Sequence, residues 1–125
     1  MRRGRGDEGQ ASVELALVLP LVVVLLLVVV QVGLVVRDQI LVVHAAREAA
    51  REAAVDSSPD AARRAALASA TLAADRITVT SAGRSGAGSR VRVEVAYRSA
   101  TDVPLVGAAL GNLTVRATAT MRVER

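Results

Sequence analysis

The 125-residue chain has no cysteine, tryptophan, phenylalanine or lysine, and Tyr97 is its only aromatic residue. Without cysteine it can form neither a disulfide nor a thiolate metal site. Without Phe or Trp, a soluble core has to be built from Val, Leu, Ile and Ala. The formal net charge of +4 is carried by Arg residues mixed with acids along the chain, not by a basic stripe with aromatic platforms. This distribution disfavours nucleic-acid binding.

Catalytic and metal-binding constellations are also missing from the sequence. His44, the only histidine, lies in an apolar helical run, and no group of donors clusters around it as a metal site requires. The segment "GRSGAG", residues 83–88, lacks the lysine and the strand-to-helix context of a phosphate-binding loop. We therefore predict that the chain is not an enzyme and has no catalytic residues, cofactor or metal.

The dominant feature that is present is the apolar run Leu15 to Val36. It holds 22 residues, of which 18 are Leu or Val. As a helix it would reach about 33 Å, enough to cross the hydrocarbon core of a bilayer. In lipid the backbone must satisfy its own hydrogen bonds, so a helix is favoured even though Val is frequent. The run predicts a transmembrane helix over residues 10–36.

Arginines flank this run on both sides. Three precede it and three follow within about 20 residues, so the positive-inside rule gives a tie: Arg2, Arg3 and Arg5, against Arg37, Arg47 and Arg51. The N-terminal amine and the shorter distance of the first cluster favour an N-terminus inside and a domain at 37–125 outside.

Two helical segments are expected after the span. The first is an Ala-rich stalk to about residue 55, which is either solvated or contacts a partner through a stripe of small residues (Ala46, Ala50 and Ala53). The polar segment Asp56 to Asp60 then breaks the helix. Ser58 as N-cap and Pro59 at the first helical position predict a second helix over about 59–74.

Beyond residue 75 the apolar residues recur at every second position, which predicts three antiparallel strands over about 76–124. The Gly-rich segment Arg84 to Arg90 is a hairpin loop, and the inward row of the last strand runs from Leu113 to Val123. Such a half-buried sheet needs one covering layer, which the helices supply. The fold class is α+β. The apolar connection Thr101 to Asn112 is either a short helix capping the sheet edge or a surface loop that touches a partner or lipid.

At the N-terminal edge of the apolar run stands "GQASVE", Gly9 to Glu14, after a short basic stretch. This resembles the class III signal peptide of the type IV pilin superfamily. Together with "AAREAARE" further on, residues 9–54 resemble the TadE-like family, the pseudopilins of the tight-adherence (Flp-type) pilus. Gln10 in place of an aromatic and the absence of a Cys pair depart from ordinary type IV pilins.

The resemblance implies that residues 1–9 are a leader, which a prepilin peptidase removes between Gly9 and Gln10. Glu14 would then be the fifth residue of the mature chain. Its carboxylate would pair with the new α-amine, within one chain or between subunits. A plainer interpretation leaves Glu14 among lipid headgroups near a helix start. Pro20 would free the carbonyl of Ala16 and bend the helix.

The resemblance further implies a pilin-like fold and a cytoplasmic (inner) membrane location, with a possible place in the pilus. The implied partners are the membrane, other pseudopilins, Flp pilin, and an inner-membrane assembly platform with its ATPase. An alternative is an unprocessed signal-anchored membrane protein with an extracytoplasmic binding domain. A domain released by signal peptidase near "VHAAREA" is disfavoured, because the apolar run is too long for a usual signal peptide.

Overall fold

The structure, a computed structural model, describes residues 5–124. Its elements follow in the order α1 (Arg5–Val55), α2 (Ala61–Ser69), β1 (Ile77–Ala82), β2 (Arg90–Ser99), α3 (Val106–Leu110) and β3 (Leu113–Arg122). The three strands form one antiparallel sheet in the order β1-β2-β3. This confirms the α+β fold with a pilin-like layout, in which one long N-terminal helix continues into a helix-and-sheet head.

The core of the head lies between the C-terminal third of α1 and the central strand β2. β2 directs Val91, Val93, Val95 and Tyr97 inward, and all four are buried. The facing residues of α1 are mostly alanines: Ala45, Ala46, Ala49, Ala50, Ala53 and Ala54. Alanine side chains let the sheet backbone approach the helix closely, and the valines of β2 fill the space between them.

This arrangement corrects the expectation for the stalk. The stripe formed by Ala46, Ala50 and Ala53 is neither solvated nor open to a partner, because it is buried against the chain's own head. The helical part of that prediction is confirmed, since α1 continues without a break to Val55. What the sequence pattern could not supply was the surface against which the small residues pack.

Hydrogen bonds at both ends of the sheet fix how the head is oriented along α1. Ser99, the last residue of β2, donates a hydrogen bond to the Asp38 carboxylate over 2.5 Å. The Gln39 side chain donates to the carbonyl of Arg116 over 3.1 Å. At the other end, the backbone N–H of Glu124 donates to the carbonyl of Ala54 over 3.2 Å. The Ser99 end of the sheet therefore lies beside the apolar part of α1 and is called the proximal end here.

Helix α2 is shorter than the predicted 59–74. It ends at Ser69, and Ala70 is already extended with φ −144° and ψ 151°. Tertiary hydrogen bonds account for the early end, because the Arg63 guanidinium donates to the carbonyls of Ala74 and Ile77. These bonds hold the segment that follows α2 in a non-helical path that leads into β1.

The predicted N-cap is also wrong. Asp60 occupies the N-cap position of α2, and its side chain makes no capping hydrogen bond. Instead, the backbone N–H of Ser58 donates to the Asp56 carboxylate over 2.8 Å, and the carbonyl of Ser58 accepts from the N–H of Ala61. The loop is thus organised by Asp56. The Ser58 hydroxyl caps no backbone N–H of α2 and instead accepts a hydrogen bond from the Arg64 guanidinium over 3.3 Å.

Strand β3 follows the predicted alternation only in part. Val115 and Val123 are buried and Ala117 and Ala119 are half-buried, but Leu113 and Met121 are exposed. Because β3 is an edge strand, its inward row has a neighbouring strand on one side only. In the connection before β3, a short helix forms as α3, and it contacts α1.

Candidate functional site

The candidate processing segment lies in the first turns of α1. Since α1 begins at Arg5, Gly9 and Gln10 are helical, and every side chain from Gly6 to Leu26 is exposed. A Cβ placed on Gly9 would meet no atom within 4 Å. The first four residues of the predicted leader lie outside the described residues. The segment is thus sterically open to a peptidase, and cleavage after Gly9 stays a prediction.

Gln10 and Glu14 share one face of the helix. The side-chain amide of Gln10 donates to the Glu14 carboxylate over 3.5 Å, one helical turn further along. Residues four apart on a helix are neighbours, so this spacing brings any polar group at position 10 within reach of the Glu14 carboxylate. The geometry therefore suits the predicted amine–carboxylate pair, whose formation stays a prediction.

The apolar part of α1 projects from the head with most of its side chains exposed. Its most apolar 18-residue window has a mean hydropathy of 3.2 and is not buried by the rest of the described chain. Large exposed apolar side chains cover most of its surface, from Val13 to Val36. α1 also continues through Pro20. A helix of this length and composition can cross a bilayer, which indicates a membrane anchor.

One polar residue, Gln31, lies within this apolar run. Gln31 is 1% exposed, and in the described part of the chain neither its side-chain oxygen nor its nitrogen has a hydrogen-bond partner. Leu27, Val35 and Asp38, on the same face of α1, are half-buried. The signal that could have found this site is a lone amide in a run of Leu and Val, because a polar side chain facing lipid is costly.

The opposite side of α1 beside the head remains open. Ile40 and His44 are exposed one turn apart, and a shallow apolar groove lies along this face, lined by Gln39, Ile40, Leu41, Val43, His44 and Arg47. The groove continues the exposed apolar surface of the span into the head. It is a surface on which another helix could pack.

The outer face of the sheet is polar and mainly basic. Arg92, Arg98 and Arg116 are exposed on it, among threonines of β1 and β3. Arg116 forms an ion pair with Glu94 over 3.2 Å, as expected for neighbouring strands. Exposed pairs of this kind add little stability. This polar face contrasts with the apolar surface of the span.

These features define a class of protein, namely a small α+β head carried on a single apolar N-terminal helix. The family of TadE-like proteins matches residues 9–51. This match confirms the resemblance seen in "GQASVE" and covers the candidate processing segment, the apolar span and the start of the head. No curated protein and no solved structure matches the chain.

Proposed function

We propose that the chain is a minor pilin or pseudopilin that takes part in assembly of a tight-adherence (Flp-type) pilus, processed by a prepilin peptidase after Gly9. The observation that carries the proposal is the TadE-like match over residues 9–51, which begins at the glycine of the processing motif. In this role the protein is not an enzyme but the substrate of one.

The exposed surfaces support this role. Apolar side chains cover most of the span of α1, and the groove near Ile40 and His44 extends that surface beyond the span. Helices with such surfaces associate by close packing in or near a bilayer. We propose that α1 packs against equivalent helices of other pseudopilins and of Flp pilin. An inner-membrane platform and its ATPase would supply the assembly machinery.

Glu14 would act as the partner of the new N-terminus. After cleavage the α-amine belongs to Gln10, whose side chain is already within 3.5 Å of the Glu14 carboxylate. An unpaired charge in lipid is costly, so each group stabilises the other. Pairing between two subunits would also set their register along the helix axis.

The first experiment determines the N-terminal residue of the membrane-extracted protein by mass spectrometry, for the wild type and for Gly9→Leu. Gly6→Leu is a matched control, because Gly6 and Gly9 are both exposed with nothing within 4 Å of a Cβ. We expect a chain starting at Gln10 in the wild type and in Gly6→Leu, and an unprocessed chain in Gly9→Leu.

A wild-type chain that keeps Met1 in a host with an active prepilin peptidase would contradict the proposal. It would favour the alternative, an unprocessed signal-anchored membrane protein with an extracytoplasmic binding domain. In that case Glu14 is an acid near a helix start and has no amine partner.

Two substitutions separate processing from assembly. Glu14→Gln removes the charge but keeps the shape, so we expect normal cleavage and impaired pilus assembly. Pro20→Ala restores a backbone hydrogen bond in α1, and impaired assembly is expected if the proline aids packing or extraction. Piliation counted by electron microscopy is the readout, and a Pro20→Ala strain with normal pili would contradict a role for the proline.

A further inference from the structure

The connection between β2 and β3 has an apolar tip on a polar neck. The tip is the eight-residue segment "VPLVGAAL", residues 103–110, which contains no polar or charged side chain. The neck is closed by the pairing of Ser99 with Leu113 and by the Thr101 hydroxyl, which donates to the carbonyl of Gly111 over 2.7 Å. Within the head, this tip is the longest stretch without a polar side chain.

The tip lies beside the apolar span. It leaves the sheet at the proximal end, where Ser99 is bound to Asp38, and α3 contacts α1. On α1, the face formed by Leu27, Gln31, Val35 and Asp38 is covered, although the rest of the span is exposed. Gln31 lies on this face two helical turns before Asp38, which Ser99 contacts at the start of the connection.

The depth of Gln31 places the tip at the membrane boundary. Gln31 precedes Val36, the last residue of the apolar run, by five positions, or about 8 Å along a helix. Interfacial elements bury their apolar faces about 5–10 Å into the boundary between headgroups and acyl chains. The depth of Gln31 below the end of the apolar run therefore matches the usual insertion depth of an interfacial element.

The backbone of the tip is suited to such a position, because several of its polar groups form hydrogen bonds within the tip and do not need water as a partner. Pro104 has no N–H, and its carbonyl accepts from the N–H of Val106 over 2.8 Å. The N–H groups of Gly107 and Gly111 donate to the carbonyls of Val103 and Gly107. Lipid-exposed non-helical backbone does not occur within the hydrocarbon region, so a tip of this kind belongs at the membrane interface, with only its apolar side chains reaching deeper.

The side chains of the tip divide into two sets. Val103 and Val106 are buried, whereas Leu105 and Leu110 are 70% and 53% exposed. Leu105 has φ 66° and lies at the centre of the tight turn closed by the Pro104–Val106 hydrogen bond, a backbone conformation that is rare for a non-glycine residue. The turn directs the large apolar side chain of Leu105 away from the protein. Exposure of this side chain to water would be unfavourable.

We infer that the tip, residues 103–110, is a membrane-inserted element, whose Leu105 and Leu110 enter the acyl region of the adjacent leaflet while its inner side shields Gln31 from lipid. The occupant of this surface is lipid, because the tip is continuous with the span and carries no charge. The inference rests on the membrane anchor alone and does not depend on cleavage after Gly9 or on a role in pilus assembly.

Tryptophan scanning tests it, because the chain has no tryptophan of its own. The full-length variants Leu105→Trp and Leu110→Trp are reconstituted at low density into phosphatidylcholine vesicles. Val55→Trp is the matched control, since Val55 is 50% exposed at the far end of α1.

We expect blue-shifted emission and strong quenching by brominated lipids for the two tip variants. For Val55→Trp we expect red-shifted emission and quenching by aqueous iodide. Circular dichroism verifies that all three variants fold alike.

Two outcomes overturn the inference. In the first, the tip variants are quenched by iodide and not by brominated lipid, which places the tip in water. In the second, they are protected from iodide only when the protein-to-lipid ratio is raised, which makes the surface a contact between copies of the chain. Neither result bears on the N-terminal residue of the mature protein, so this inference and the proposed function fail separately.

Discussion

The Ser99 hydroxyl and the Asp38 carboxylate are joined by a hydrogen bond of 2.5 Å between residues that are 61 positions apart. Ser99 is fully buried at the end of the central strand, and Asp38 lies two residues beyond the apolar run. This bond fastens the proximal end of the sheet to the helix at the point where it leaves the membrane. Together with the hydrogen bond from Gln39 to the carbonyl of Arg116, it fixes the proximal end of the head on α1.

Ser99→Ala tests the contact. The substitution leaves the Asp38 carboxylate without this donor, and losing a hydrogen bond to a half-buried acceptor costs about 1–3 kcal/mol. We expect a loss of unfolding free energy in that range, measured by denaturant unfolding of the full chain in detergent. Buried Tyr97 is the natural fluorescence probe, because no tryptophan masks it. Ser81→Ala, at an exposed position of β1, is the control and is expected to have little effect.

Arg84 fastens the distal end of the head. Its guanidinium donates to the carbonyls of Ala53 and Asp56, at and just beyond the C-terminus of α1. A cation there stabilises a helix end that leaves carbonyls unpaired. We expect Arg84→Ala to lower the unfolding free energy by about 1–3 kcal/mol, because acceptors lose their partner. Arg84→Lys should recover only part of the loss, since an ammonium lacks the planar fork.

Arg92→Ala is the control for this measurement, because Arg92 is exposed on the outer face of the sheet. An equal effect of the two alanine substitutions would show that general charge loss is responsible. A destabilisation confined to Arg84 supports the specific contact with the end of α1.

Asp56 should make stability depend on acid pH. The Ser58 backbone N–H holds the pKa of the Asp56 carboxyl below its ordinary value of 3.8, assisted by the Ser58 side chain and by the charges of Arg64 and Arg84. Because the pKa is lower in the folded state, the stabilisation is complete above the unfolded-state value and is lost as the pH falls through the folded-state value.

Asp56→Asn removes this titration. We therefore expect the wild type to be more stable than the variant at neutral pH, and the difference to shrink as the pH falls below 3.8. The measurement is the denaturation midpoint of both proteins across the acid range. Asp60→Asn is the control, since its side chain does not cap α2. A difference that stays constant down to strongly acidic pH would argue against the Asp56 assignment.

Periodicity explains why much of the fold could be predicted from sequence. The Leu and Val run specifies α1, and strict alternation specifies β2, because both patterns are local. The end of α2 could not be predicted in this way. Residues 70–74 are mostly helix-forming, yet the hydrogen bonds from Arg63 to Ala74 and Ile77 hold them in another conformation. Tertiary contacts of this kind override local propensity.

The candidate functional residues differ in the same way, because a local motif can be predicted from sequence and a tertiary contact cannot. Gly9, Gln10 and Glu14 could be singled out from sequence because their motif is contiguous, and their role in cleavage and pairing stays a prediction. The burial of Gln31 could not be predicted, because helical spacing does not show which face of a helix the rest of the chain covers. The alternatives for the Ala46, Ala50 and Ala53 stripe were equally undecidable, because helical spacing shows a small-residue face without identifying its neighbour.

That stripe gives the last prediction. Ala50 is fully buried where α1 faces the sheet, so Ala50→Leu would force an additional isopropyl group between closely packed layers. Overpacking of this kind costs about 1–3 kcal/mol, and the Tyr97 unfolding assay should register it. Ala68→Leu, an exposed alanine of α2, adds the same group outside the core and should change stability by no more than about 0.5 kcal/mol. If instead the stripe served as a contact between subunits, Ala50→Leu would leave the isolated protein as stable as Ala68→Leu does and would impair only assembly.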